Sequence, residues 1–289
     1  MLSEENNPIN PRRIVMSIQF HAQQILDVVA SGGYTTENSV RVDIRALQEA
    51  AARNTELFHP DKLEALFSES SGAGESPRVE VIEATTTDAA LKLSAEKDGV
   101  VLLNFASARN PGGGFLGGAR AQEEEVCRCS GLYPLLVTQP KYYETNRAQA
   151  SALYTDYIIY SRDVPFFRTS AKDPWLEKPF VASVITAPAP NAGAIMQNQS
   201  KDKAKIRETF ERRWRNVLLV AAARGHRSVL LGAWGCGAFR NDPEVAASTA
   251  RMWLTAPRFA GCFDKVVFAI PGGGRSGTNL DVFRRVLDC

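Results

Sequence analysis

This 289-residue chain has few histidines and cysteines, and its net charge is small. Its three histidines, His21, His59 and His226, are scattered, and Cys127 and Cys129 form the one close pair among its five cysteines. Because a zinc site needs several well-spaced ligands of these types, the sequence argues against one. An odd number of cysteines without a secretion signal favours reduced thiols over a disulfide framework.

The formal net charge of +2 is too small for general electrostatic attraction to nucleic acid, so no direct nucleic-acid binding is predicted. No apolar run approaches the ~20 residues that span a bilayer, and the polar segment Met1–Arg13 lacks the apolar core of a signal peptide. We therefore expect no membrane association and a cytoplasmic location. With 44% hydrophobic and 23% charged residues, most of the chain should fold.

The N-terminal part of the chain is predicted to be helical. Apolar residues recur at helical spacing over Ile14–Ala30, which ends at Ser31–Gly33, and Asp43–Asn54 has a similar pattern. The serine- and glycine-rich segment Glu69–Ser76 is typical of a linker or exposed loop. We therefore divide the chain into an accessory helical region, 1–75, and a main domain, 76–289.

The main domain alternates apolar strand patterns with helical ones. One helix is predicted over Lys203–Ala223, and another begins at Asp242, a good N-cap, followed by Pro243. The predicted strands are Val79–Ala84, Val100–Phe105, Tyr157–Tyr160, Val181–Ala187, Ser228–Ala233 and Lys265–Ile270. This alternation predicts an α/β fold with helices on the faces of a sheet.

A run of three glycines, Gly112–Gly114, follows the predicted strand that ends at Phe105. Without β-carbons, its backbone amides can approach a diphosphate closely, although a flexible surface turn has the same composition. Two known phosphate motifs do not fit. The dinucleotide fold places its first glycine at the strand end, and the P-loop needs Lys-Ser/Thr where Ala119 and Arg120 stand.

Acidic residues follow the glycines, at the predicted start of a helix. Carboxylates in a first turn can simply complement the helix dipole. Beside a diphosphate-binding loop, however, Glu123–Glu125 would lie near the sugar of a bound nucleotide, as glycoside hydrolysis requires. Adjacent helical residues point about 100° apart, so Glu123 and Glu124 should have different tasks.

A second glycine pair, Gly235 and Gly237, lies between a predicted strand and the helix that begins near Pro243. Amides in this position can hold phosphate oxygens opposite the first loop. Phe239 could then cover a ribose or base, although core packing is the commoner fate of a phenylalanine. Cys236, between the glycines, has no histidine near it in the sequence, and we interpret it as structural.

Together these motifs resemble those of poly(ADP-ribose) glycohydrolases, particularly the compact microbial type. The resemblance is carried by Gly112–Gly114, a seven-residue spacing and then Gln122–Glu124, and it covers most of residues 78–270. Further matching segments are Asn104–Ser107, Asn110–Pro111, Ser130–Pro134, Ser183–Asn191 and Gly232–Phe239. The family's fold implies a macrodomain-like, three-layer α/β/α domain with a mixed sheet, to which the N-terminal helices would add a layer.

The resemblance implies hydrolysis of the ribose–ribose O-glycosidic bonds of poly(ADP-ribose), mainly from chain ends, with release of ADP-ribose. Glu124 would be the general acid and base, Glu123 would fix the ribose, and Gln122 would support that arrangement. No cofactor or metal is implied; ADP-ribosylated proteins would be the partners, in the DNA damage response. Substrate contacts are also expected from Asn104, Ser107, Asn110, Gly112, Gly113, Gly114, Gly235, Cys236, Gly237, Ala238, Phe239 and, for adenine stacking or else core packing, Phe268.

Three alternatives stay open at this point. A macrodomain-like module can bind ADP-ribose without cleaving it, and such a module needs the glycine loops but not the acid. A hydrolase could act on ADP-ribose linked to a protein side chain or to a base. The least favoured is a dehydrogenase, which would bind a nicotinamide dinucleotide.

Overall fold

A seven-stranded mixed β-sheet organises the computed structural model, which describes residues 11–69, 72–96, 99–198 and 200–287. Most of the segment Met1–Arg13, for which the sequence predicts no signal peptide, lies outside these residues, as does Cys289. The helices are α1 (Pro11–Ser31), α2 (Arg45–Arg53), α3 (Pro60–Glu69), α4 (Thr86–Ser94), α5 (Gln122–Cys129), α6 (Leu132–Val137), α7 (Pro140–Ala148), α8 (Ala192–Asn198), α9 (Ile206–Ala223), α10 (Pro243–Leu254) and α11 (Gly274–Leu287). The strands are β1 (Gly33–Thr35), β2 (Arg41–Asp43), β3 (Thr55–Phe58), β4 (Arg78–Glu83), β5 (Val101–Phe105), β6 (Ile158–Phe166), β7 (Phe180–Ala187), β8 (Ser228–Leu231) and β9 (Lys265–Ile270).

The strand order in the main sheet is β3-β6-β7-β5-β8-β9-β4. The five strands from β7 to β4 are parallel, whereas β3 and β6 pair antiparallel at one side. Strands β1 and β2 form a separate antiparallel pair. Parallel strands bring their carboxyl ends, and the loops that follow them, to one edge of the sheet, where ligands bind in open α/β folds.

Two apolar cores cover the two faces of the sheet. Strand β5 shows the division, because Val101 and Leu103 face one core and Leu102 faces the other. The first core includes Phe210 and Trp214 of α9 together with residues of α10 and α11. The second is built with α1, α4, α5 and α6. This arrangement confirms the expected three-layer α/β/α architecture with a mixed sheet.

The six predicted strands are present, as are the predicted helices. Asp242 caps α10 by accepting a hydrogen bond from the Glu244 amide at 2.9 Å. The N-terminal part differs from the prediction, because it contains β1, β2 and β3 as well as helices. Strands of three or four residues carry too little periodicity to stand out between helical patterns. The division of the chain at residues 75 and 76 stays a prediction.

Strand β3 ties the N-terminal region to the main sheet. It pairs with β6 from Thr55 opposite Ser161 to Phe58 opposite Ile158. The Phe58 ring is completely buried, with the cations of Lys62 and Arg224 over it. The region predicted to be an accessory layer therefore supplies part of the main hydrophobic core.

No helix in the described parts of the chain combines the length and the apolar character needed to cross a bilayer.

Truncation of the buried ring at β3 should destabilise the whole domain. We expect Phe58→Ala to lower the free energy of unfolding by about 3–5 kcal/mol, because it leaves a cavity beneath the sheet. The matched control is Phe20→Ala on α1, where the ring is 62% exposed, and it should have little effect. Urea unfolding measures both variants. A loss below ~1 kcal/mol for Phe58→Ala would contradict the integration of β3 into the core.

Candidate functional site

A cleft of about 1170 Å³ opens at the edge of the sheet where the parallel strands end. Phe105 and Ser107 line it from the end of β5, Ala233 and Trp234 from the end of β8, and residues 269–271 from the end of β9. Thr85–Thr87, which follow β4, complete this side. The volume suits a ligand the size of a nucleotide or dinucleotide.

Helix α5 begins inside this cleft. Ala121 is its N-cap, so Gln122, Glu123 and Glu124 occupy the first three helical positions. All three residues line the cleft, and both glutamates are buried. The predicted acidic first turn is confirmed, and its side chains face a cavity.

Each oxygen of the Glu124 carboxyl group accepts a backbone hydrogen bond. Oε1 accepts from the Gly114 amide at 2.8 Å, and Oε2 accepts from the Ala121 amide at 3.0 Å. The bond to Ala121 is the half of a capping box in which the N3 side chain accepts from the N-cap amide, since alanine has no side-chain acceptor for the other half. The bond to Gly114 fixes the carboxyl group against the first glycine loop. One side chain therefore joins the helix to that loop.

Glu123 is more deeply buried, with 2% of its surface exposed. Its Oε1 accepts from Asn104 Nδ2 at 3.2 Å, and its Oε2 accepts from the Ser107 amide at 2.6 Å. Burial raises the pKa of Glu123 to about 8, and the charge of Glu124 adds to the rise, although the hydrogen bonds from Ser107 and Asn104 oppose it. At neutral pH this carboxyl group is mainly protonated.

Gln122 and Glu125 have different partners from the two central glutamates. Gln122 Oε1 accepts from the Phe105 amide at 2.8 Å, and its Nε2 donates to the Leu103 carbonyl at 2.8 Å, which holds the helix start against β5. Glu125 accepts from the Ala171 amide at 2.9 Å and pairs with Arg128 at 3.4 Å. The helix register therefore separates Glu125 from the Gly112–Gly114 loop.

The first glycine loop needs glycine for two reasons. Gly112 and Gly113 have φ angles of +64° and +60°, which side chains disfavour. A β-carbon on Gly113 would also lie 2.4 Å from Glu124 Oε1 and 3.0 Å from Glu123 Oε2. Gly113 is therefore the point where the loop backbone passes against both glutamates.

The second glycine loop lines the cleft after the end of β8. Gly235 has φ +75°, and a β-carbon there would lie 2.6 Å from Ala189 Cβ and from Asn241 Nδ2. Gly237 and Ala238 are exposed and line the cleft. Half-buried Phe239 also lines it, with its ring 6.1 Å from that of Tyr154. This wall offers backbone amides and one aromatic ring to a ligand.

Not every predicted residue reaches the cleft wall. Gly112, Gly113 and Gly114 do not line the cleft themselves, and their loop contacts it through Glu124. Asn104 lies beneath it, bonded to Glu123, and Asn110 is exposed on the first loop, where its carbonyl accepts from the Gly113 amide. Cys236 is 2% exposed, and burial raises the pKa of its thiol to about 12, which suits a structural residue.

Adenine stacking by Phe268 is corrected by the structure. Its ring is fully buried in the core, 6.2 Å from the ring of Trp214 and 5.6 Å from that of Phe283. Alternate residues of a strand face opposite sides, and Phe268 points into the helical layer rather than toward the strand end. The alternative of a core phenylalanine is confirmed.

Several unpredicted parts of the chain also line the cleft, among them Thr85–Thr87 and Ser170–Lys172. The position of Thr85–Thr87 could have been predicted from the sequence, because residues just after a parallel strand lie at the same sheet edge as the glycine loops. Ser170–Lys172 carries no motif and reaches the site through its hydrogen bond to Glu125. Among the described residues, no group of three or more His, Cys, Asp or Glu side chains is arranged to hold a metal ion.

Comparisons with known proteins agree with this geometry. A family model described as microbial-type PARG, catalytic domain, matches residues 22–169. The crystal structure of poly(ADP-ribose) glycohydrolase from Thermomonospora curvata is similar over 94% of this chain and 99% of that one, with 40% identity and a TM-score of 0.89. Its complex with the inhibitor ADP-HPD matches with 40% identity over 93% and 99%, at a TM-score of 0.85.

The poly(ADP-ribose) glycohydrolase from Deinococcus radiodurans, in complex with ADP-ribose, matches over 86% of this chain and 98% of that one, with 41% identity and a TM-score of 0.78. The search of curated proteins gave no significant match. These structural similarities confirm the macrodomain-like fold.

The buried carboxyl group of Glu123 should make stability depend on pH. Its pKa rises from 4.5 to about 8 on folding, so the unfolded chain releases this proton first as the pH rises. This group's contribution to the free energy of unfolding therefore falls between about pH 4.5 and pH 8, by roughly 3–5 kcal/mol in total. Glu123→Gln should abolish that fall.

Urea unfolding at several pH values measures the effect, and exposed Glu208→Gln is the control. The stability of Glu123→Gln relative to the wild type should increase with pH, whereas that of Glu208→Gln should not. An equal pH slope for Glu123→Gln and the wild type would contradict a protonated Glu123.

Proposed function

Because the chain belongs to the microbial-type poly(ADP-ribose) glycohydrolase family, we propose that it hydrolyses the ribose–ribose O-glycosidic bonds of poly(ADP-ribose) and releases ADP-ribose. One observation carries this proposal: two buried glutamates in the first turn of α5 lie against a glycine loop in a nucleotide-sized cleft. Glycoside hydrolysis needs a proton donor at the leaving oxygen and a base for the attacking water.

We assign the acid and base role to Glu124. Its two hydrogen bonds to Gly114 and Ala121 use one lone pair of each oxygen and leave others for a ligand. Glu124 would protonate the departing ribose hydroxyl and then take a proton from the water that attacks the anomeric carbon. Its anchoring in backbone amides supports this role, because a general acid must hold one position relative to the bond that breaks.

Glu123, Asn104 and Gln122 are assigned supporting roles. A protonated Glu123 can donate a hydrogen bond to a ribose oxygen, and its neutral state avoids a second negative charge beside Glu124 once Glu124 has given its proton to the leaving group. Asn104 and the Ser107 amide hold the Glu123 carboxyl group, and Gln122 holds the helix start. These contacts fix the orientation of the sugar with respect to Glu124.

The two glycine loops are assigned to the pyrophosphate. Gly112–Gly114 would border it on one side, where the lack of β-carbons leaves room although the Gly113 and Gly114 N–H groups already donate to Asn110 and Glu124. Gly235–Ala238 would approach it from the other side through backbone N–H groups. Phe239, at the cleft wall beside Tyr154, would pack against the ribose. The bound diphosphate itself would favour the positive charge that develops on the sugar in the transition state.

A binding module without catalysis and a hydrolase of other ADP-ribose linkages are the rivals. A pure binding module gains nothing from two buried carboxyl groups, because their desolvation costs stability and any negative charge on them repels an anionic ligand. Action from chain ends is part of the proposal, as are ADP-ribosylated proteins as partners, a cytoplasmic location and a role after DNA damage.

Loss of the Glu124 proton should abolish most turnover. We expect Glu124→Gln to reduce ADP-ribose release from automodified poly(ADP-ribose) polymerase by about 10²–10⁴-fold, because general acid and base catalysis contributes that much. Glu208→Gln, on the exposed face of α9, is the control and should retain full activity. Near-normal release by a folded Glu124→Gln variant would remove Glu124 from this role.

Crowding at the first loop should have a similar effect without altering any acid. Gly113→Ala places a β-carbon 2.4 Å from Glu124 Oε1 at a positive φ, so we expect displacement of the carboxyl group and a loss of turnover of at least ~10-fold. Gly117→Ala is a matched control in the same loop, because its β-carbon would meet nothing closer than 3.6 Å. Equal activity of the two variants would contradict the proposed contact between loop and acid.

A further inference from the structure

Glu125 has no part in the chemistry above, but its contacts organise one lip of the cleft. Its Oε1 accepts the Ala171 amide at 2.9 Å, which joins α5 to the segment after β6. Its Oε2 pairs with Arg128 Nη1 at 3.4 Å. A single carboxylate therefore connects this segment to a cation one turn further along the helix.

Arg128 extends the connection to the first glycine loop. Its side chain is 2% exposed, and its Nη2 donates to the Ala119 carbonyl. Its own carbonyl accepts from Arg168 Nε at 3.0 Å, and the Arg168 guanidinium lies 4.4 Å from the centre of the Trp175 ring. The Glu125–Arg128 pair thus holds the backbone at Ala119 and at Ala171 to the same helix.

Two free cations follow those anchored residues directly in the sequence. Arg120 comes after Ala119 and Lys172 after Ala171, and both side chains are exposed and line the cleft. Neither makes a side-chain hydrogen bond or ion pair with any described residue. We name Arg120, Arg128 and Lys172 the basic lip.

The basic lip has both charge and unused hydrogen-bond donors. The exposed Arg120 guanidinium and Lys172 ammonium offer these donors to a ligand, and the buried Arg128 Nε has no partner in the described chain. In the described chain only Arg128 of the basic lip has an ion pair, with Glu125, so no ion pair balances Arg120 or Lys172. An excess of guanidinium and ammonium groups with free donors favours phosphate oxygens.

A monomeric ADP-ribose has a single pyrophosphate, which the proposed function assigns to the glycine loops. Each further unit of a poly(ADP-ribose) chain brings another pyrophosphate with two negative charges. We propose that the basic lip binds the pyrophosphate of a second ADP-ribose unit of the chain, with Glu125 as the positioning residue that holds the lip together. This inference rests on the proposed function, because that function supplies the polymer.

Neutralising the exposed lip should weaken polymer recognition selectively. We expect Arg120→Ala/Lys172→Ala to raise KM for protein-free, size-fractionated poly(ADP-ribose) about 3- to 10-fold, because each exposed cation contributes a fraction of a kcal/mol. The Kd for monomeric ADP-ribose should change less than about twofold. The matched control is Arg53→Ala/Lys141→Ala, which removes the same two charges from exposed positions outside the cleft lining.

The positioning role of Glu125 is tested by a double-mutant cycle. Glu125→Ala alone should raise KM for the polymer, because it frees Ala171 and Arg128. In the Arg120→Ala/Lys172→Ala background the same change should add little, since the cations it positions are gone. If the effects of Glu125→Ala and Arg120→Ala/Lys172→Ala on KM were fully additive, Glu125 would not act through the lip.

The outcomes separate this inference from the proposed function. Wild-type turnover with an unchanged KM in Arg120→Ala/Lys172→Ala would overturn the basic lip alone. An effect seen with protein-attached chains but absent with free chains would overturn it in favour of an acidic acceptor protein. Absence of ADP-ribose release by the wild type would refute the proposed function instead. In that case the lip is tested by the affinity for poly(ADP-ribose) of Glu124→Gln and of Glu124→Gln combined with Arg120→Ala/Lys172→Ala. Equal affinities of these two variants would overturn the basic lip.

Discussion

Three consecutive side chains at the start of α5 hold the candidate site together by accepting hydrogen bonds from backbone amides at the end of β5 and in the segment that follows it. Gln122 accepts from Phe105, Glu123 from Ser107, and Glu124 from Gly114. These amides lie at the strand end, just beyond it and in the glycine loop, so the helix fixes the path of the whole segment. The geometry of the cleft depends on this set of hydrogen bonds.

The same arrangement has an energetic cost. Two carboxyl groups are buried within one helical turn, where burial and mutual repulsion disfavour a double negative charge. Burial raises the pKa of Glu123, which favours its neutral form, and Glu124 accepts hydrogen bonds from two backbone amides. Natural proteins retain such unfavourable groups mainly where function requires them, which is why the buried pair weighs against a purely binding role.

The parts of the fold and site that could be predicted are those where local sequence determines the outcome. Gly112–Gly114 and the acidic turn could be predicted because loop and helix start are short-range features, and their meeting follows from the strand that precedes them. The burial of Phe268 in the core could not be predicted. Its strand is almost wholly apolar, so the sequence does not show which side chains face the helices. Ser170–Lys172 could not be predicted either, since its approach to Glu125 is a contact between distant segments.

Strand β3 gives the N-terminal region a further significance. It covers the edge of β6 from Ile158 to Ser161, where backbone N–H and C=O groups would otherwise be left unpaired. An exposed strand edge of this kind can pair with a strand of another molecule. A shortened version of this protein that starts at the apparent linker would therefore lose solubility through self-association before it lost its catalytic groups.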